Sequence, residues 1–118
     1  MKEFVLIFRN SVNEGFKPSP EQMQQVLTNW MNWMGSMAAQ DKLADKGNRL
    51  SMSEAKTVKP GEVITDGPYT EVKEFINGYI VVKTSTIDEA VSLAKECPIL
   101  NIGGHVEVRK VVTPEDNS

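Results

Sequence analysis

The 118-residue chain is poor in the residues that build metal and redox centres: it has one cysteine and one histidine. Cys97 has no second cysteine for a disulfide within the chain, and a cysteine-based zinc cluster is excluded. One histidine and no spaced acidic triad make a metal site unexpected, and no cofactor is expected. No apolar run approaches the roughly 20 residues a membrane helix needs, so no membrane association is expected. The opening segment Met1–Arg9 is too short and too soon charged for a secretory signal, which makes a cytoplasmic location the expectation. Basic residues do not dominate either. Thirteen Lys and Arg stand against 16 Asp and Glu, a net charge of −3, which argues against a phosphate-backbone binder and hence against a nucleic-acid partner. What is present is ordinary globular material, 40% apolar and 25% charged, enough for one domain with one core. Residues 1–112 are expected to form it, with 113–118 as a polar tail.

Lys2 to Arg9 reads as a strand. Phe4, Leu6 and Phe8 point one way and Val5 and Ile7 the other. Apolar on both faces, it should be central and covered on both sides. Ser19-Pro20-Glu21-Gln22 is a helix start with a capping-box match. Met23, Leu27, Trp30, Met34 and Met37, widened by Val26 and Trp33, make an apolar stripe that predicts a helix from Pro20 to about Lys46, stopped by Gly47. Ser53–Lys59 is expected to be an edge strand, returning through the Pro60-Gly61 turn as Glu62–Thr65. Tyr79–Thr84 is a second strand apolar on both faces. Thr86 caps a second helix, Ile87–Glu96, and His105–Val112 is the last strand.

Strand, long helix, strand with an extra hairpin, strand, helix, strand is the split βαβ, ferredoxin-like pattern of an α+β protein, an antiparallel sheet with two helices on one face. Its first and third main strands are the central ones, and those are the two segments found apolar on both sides. Two helices cover one face only. The other face would be an apolar patch of a size monomers avoid, so a second copy packing sheet to sheet is expected, with long loops folding over it as the alternative.

Thr65-Asp66-Gly67-Pro68-Tyr69, followed by Glu71, Lys73-Glu74 and Gly78-Tyr79, together with the opening strand, Gly103-Gly104 and the closing Val106-Glu107-Val108-Arg109, resembles the YCII-related proteins in their Asp-Gly-Pro-Phe subgroup. Tyr69 stands where the subgroup usually has Phe. The resemblance implies a dimeric α+β barrel with pockets between the helical layer, the sheet and the hairpin loop. The His-Asp pair proposed as catalytic in the wider group does not carry over, because His105 opens the last strand. The resemblance implies no particular reaction; some relatives are encoded beside sigma-factor regulators.

Asp66 is the candidate catalytic residue: a carboxylate on a tight turn can act as a general base, or can simply bond nearby backbone amides. Candidate ligand-binding residues are Arg9, able to clamp a carboxylate or phosphate or to end a strand in a salt bridge; Trp33, favoured over Trp30 as a pocket wall, one of the two being core; Tyr69, a hydrogen-bond donor or an aromatic plug; and Glu74, which with Glu71 and Lys73 either adds charge near Asp66 or is solvated. Met31, Met34 and Met37 suit an adaptable wall or the core. Two functions follow as expectations: a homodimer with a small-molecule pocket near the Asp66 turn that does acid–base chemistry, or a non-catalytic ligand-sensing or protein-interaction module linked to transcriptional regulation.

Overall fold

The two segments that are apolar on both faces become the two inner strands of one sheet. A computed structural model describes residues 1–11, 19–51, 53–67 and 74–116. In chain order the elements are β1 (Lys2–Ser11), α1 (Pro20–Ala39), β2 (Leu43–Arg49), β3 (Lys56–Lys59), β4 (Val63–Asp66), β5 (Glu74–Thr84), α2 (Ile87–Ala94), a 3-10 turn (Pro98–Ile102) and β6 (His105–Lys110). The main sheet runs β2-β5-β1-β6, every neighbouring pair antiparallel, while β3 and β4 form a separate two-stranded hairpin. This α+β arrangement is compatible with the ferredoxin-like pattern.

Alternation divides the sheet cleanly. Phe4, Leu6, Phe8, Ile80 and Val82 are buried on one face. There they meet Trp33 and Met37 of α1, Ala90 and Ala94 of α2, and Cys97 and Ile99. Each large apolar side chain so buried contributes roughly 1.5–3 kcal/mol. Val5, Ile7, Tyr79 and Val81, one step out of phase, lie half-buried on the opposite face, which no described helix covers.

The start of α1 follows the predicted signature. The Ser19 hydroxyl accepts from the Gln22 amide at 3.1 Å, and the Gln22 side chain accepts from the Ser19 amide at 2.8 Å. Its end does not. The helix stops at Ala39, and Asp41 adopts a left-handed backbone, φ 58°, in the position a C-terminal glycine commonly fills. Most of residues 40–46 are good helix formers, so propensity alone would carry the helix on. The unpaired edge of β5 decides instead, and β2, not Ser53–Lys59, is the edge strand of the main sheet. Gly47 does have a positive φ, 62°, but inside β2, where the register with β5 slips between Asp45 and Asn48. That slip is a bulge. A Cβ on Gly47 would stand 1.7 Å from the Tyr79 carbonyl oxygen, so only glycine lets the two strands approach.

A second irregularity lies between the inner strands. Phe8 faces Gly78 and Arg9 faces Ile76, which leaves Asn77 without an opposite residue. Its side chain donates to Asn10 Oδ1, and its carbonyl accepts from the Leu50 amide at 2.9 Å. Within the expected polar tail, residues 113–116 form a hydrogen-bonded turn. Its Thr113 amide and hydroxyl bond Asp116 Oδ2 at 3.0 and 3.1 Å and hold that carboxyl below its ordinary pKa.

Candidate functional site

The apolar stripe of α1 is buried unevenly. Met37 and Trp33 near its end are fully enclosed, Trp30 is half-buried, and Leu27 and Met23 are 45% exposed. The first half of the helix therefore stands off the sheet. Gly78, on the floor, lets β2 come in close at its side: a Cβ there would stand 2.8 Å from the Asn48 carbonyl oxygen. The result is a cleft of about 410 Å³, within the size range of small-molecule sites.

Its roof is Met23, Val26, Leu27 and Trp30, and its floor is Phe8, Gly78 and Ile80. Ile99 and Ile102 close the back. Roof and floor meet where Trp30 packs edge-on against Phe8 at 4.8 Å between centroids, and behind it Trp30 meets Trp33 at 5.4 Å. Polar groups gather at the mouth, where Lys46, Asn48 and Arg49 come from the bulged end of β2 and Asn77 from β5. Asn48 donates to the Tyr79 hydroxyl at 3.3 Å.

The sequence-predicted residues are dispersed. Asp66 ends β4 with its side chain 93% exposed and pairs with Lys56 Nζ at 2.7 Å. It borders a separate, shallow depression with Ser53, Glu54, Ala55, Lys56 and Gly67, and lines no part of the cleft. Arg9 lies on the uncovered face of the sheet and donates from Nε to Glu107 Oε1 at 2.9 Å. Trp33 is 6% exposed and donates from Nε1 to the Leu93 carbonyl at 3.0 Å, a core contact between α1 and α2. Trp30 is the tryptophan that lines the cleft. Tyr69, Glu71 and Lys73 lie outside the described residues, as does the side chain of Glu74, whose backbone opens β5. Met34 and Met37 pack in or against the core, whereas Met31 is 64% exposed. His105 and Arg109 are exposed on β6.

Lys46 and Arg49 are not among the sequence-predicted residues, because Lys46 reads as the end of a helix and Arg49 as lying beyond its Gly47 stop. The one available signal is a glycine amid charged and polar residues, which can mark a bulge. The remaining nucleophile is shielded: burial pushes the Cys97 thiol up to about 12, only partly offset by a hydrogen bond from the Ile99 backbone. Among the described residues no three His, Cys, Asp or Glu side chains gather as a metal site would require. No described helix is long and apolar enough to cross a membrane.

The sequence pattern of the YCII-related domain matches residues 4–114, from β1 to the turn after β6. The chain belongs to the YCII-related family. Among curated proteins no match reaches significance. In this YCII-related chain the match spans every element that builds the cleft, so roof, floor and mouth all lie within the family domain.

Proposed function

We propose that this YCII-related protein, of the Asp-Gly-Pro-Phe subgroup, is a homodimer that binds a small organic molecule in the cleft under α1, as a non-catalytic ligand-sensing module. The cleft carries this reading: it is roomy, mostly apolar, and none of its described lining residues is an acid. The rival reading, acid–base chemistry at Asp66, has less support, since that carboxylate is exposed and paired with Lys56. Dimerisation is supported by the second sheet face. Val5, Ile7, Val81 and Tyr79 form an apolar strip there, bordered by the Arg9–Glu107 pair and by Lys83, which pairs with Asp41 at 3.1 Å. A central apolar strip with charges of both signs at its margin suits packing against its own copy.

A neutral dye, N-phenyl-1-naphthylamine, tests the cleft. One saturable site per chain is expected, removed by Val26→Trp, which fills the roof, while the thermal transition is kept. Binding that survives Val26→Trp, or never saturates, refutes the cleft as the site. Light scattering of the dilute protein tests the assembly. A mass of two chains, halved by Val81→Arg, is the expected result, and a single-chain mass for the wild type refutes the dimer.

A further inference from the structure

We infer that the ligand is an apolar carboxylate, its hydrocarbon or aromatic body lodged under α1 and its charge held at the mouth by Lys46 and Arg49. This rests on the cleft being the binding site, and it adds the chemical class of what enters.

The inference starts from charge placement. In a chain of net charge −3, the cleft mouth is lined by two cations and no acid among the described residues. The other charges on the same strand show that this is not an average of nearby signs. Asp45 sits opposite Val81, on the other face of the sheet, and its Oδ1 accepts from the Gly47 amide at 2.7 Å. Arg49 lies opposite Gly78, on the face that looks toward α1. Neither Lys46 nor Arg49 has an ion-pair partner among the described residues, whereas Arg9, Lys56, Lys83 and Lys110 each have one. Two cations lining one cleft mouth repel one another, and an anion bound there relieves that repulsion.

The neighbouring polar groups fit the same guest. Asn77 adds a carboxamide to the mouth, and the planar Arg49 guanidinium can grip a carboxylate with two parallel hydrogen bonds. Deeper in, Phe8, Leu27, Trp30, Ile80 and Ile99 offer carbon surface and no acceptor-rich pocket for a second polar end. The site thus has one polar end and one apolar end, and so should its ligand.

Isothermal titration of the intact protein with 2-naphthoate and with its uncharged isostere 2-naphthamide separates the two levels of the reading. The expected result is that naphthoate binds more tightly by about fivefold or more, that added salt erodes this preference, and that Lys46→Gln with Arg49→Gln abolishes it while leaving naphthamide unchanged. Salt dependence of the wild type keeps the test independent of how the double variant folds. Equal affinities for the two probes, or a preference that survives both high salt and the double variant, overturns the carboxylate and leaves the cleft standing. Failure of both probes to bind overturns the cleft reading and the carboxylate with it.

Discussion

Gly47→Ala is the substitution whose effect the structure specifies most closely. Two penalties apply at this position. The backbone φ of 62° costs an alanine about 1–2 kcal/mol. In addition, the new Cβ would sit 1.7 Å from the Tyr79 carbonyl oxygen and 2.6 Å from its carbon, both backbone atoms of an inner strand. Neither can swing away as a side-chain tip would. β2 must therefore lift from β5 around the Asp45–Asn48 bulge, and each ladder hydrogen bond lost there costs about 1 kcal/mol. With two such bonds lost the sum is about 3–4 kcal/mol, a large part of the 5–15 kcal/mol typical of a whole domain. Gly61→Ala is the matched control. Its φ of 84° is equally left-handed, but a Cβ there meets nothing within 4 Å, so only the backbone penalty of about 1–2 kcal/mol applies. Urea unfolding of both variants measures the difference directly. Because Lys46, Asn48 and Arg49 flank Gly47, Gly47→Ala should also weaken naphthoate binding under conditions where the variant is still folded, and Gly61→Ala should not. Equal destabilisation by the two substitutions would refute the tight β2–β5 approach as the reason for glycine.

Asp66→Asn removes an exposed ion pair, so stability should move by less than about 1 kcal/mol and naphthylamine binding should not change. A lost binding signal in that variant would return Asp66 to the site. Trp33→Phe removes the bond to the Leu93 carbonyl and should cost about 1–2 kcal/mol in thermal unfolding, against about 3–5 for Trp33→Ala, which empties the centre of the core. Cys97 should resist alkylation at pH 8 until the chain unfolds. Its thiol ionises near 9.0 when freed but only at about 12 when folded. The unfolded chain therefore releases a proton first, and stability should fall as pH rises from 9 toward 12. The fall should be absent in Cys97→Ala.

The parts of the fold that were legible in the sequence are those where local pattern and global need agree. Phe4-Val5-Leu6-Ile7-Phe8 and Tyr79–Val82 announce inner strands by being apolar on both sides, and Ser19 announces a helix start by its capping chemistry. The end of α1 was illegible because two forces compete there. Residues 40–46 favour helix locally, while the free edge of β5 needs a partner, and an aspartate rather than a glycine takes the left-handed turn. Misplacing that boundary had a direct consequence for the site. It puts Lys46 on a helix end and Arg49 beyond it, so the cleft mouth has no sequence signature, whereas the Asp66 turn has a distinct one. The two tryptophans show a subtler limit. Their spacing identifies a core stripe, but which ring seals the core and which faces a gap depends on the angle at which α1 leaves the sheet, and no local pattern encodes that angle.

The unmatched Asn77 bears on where the chain tolerates changes of length. It ties β1, β5 and the residue after β2 together at one point. Removing it would leave Gly78 opposite Phe8 and Ile76 opposite Arg9, so the faces on either side survive and what is lost is its bonds to Asn10 and Leu50. Insertions and deletions inside the regular pairing, at Ile80 opposite Leu6 for example, would instead turn every residue beyond them to the other face. At the Pro60-Gly61 tip of the hairpin, outside the main sheet, they should pass almost unnoticed, which makes that tip the natural place to graft a label or a tag.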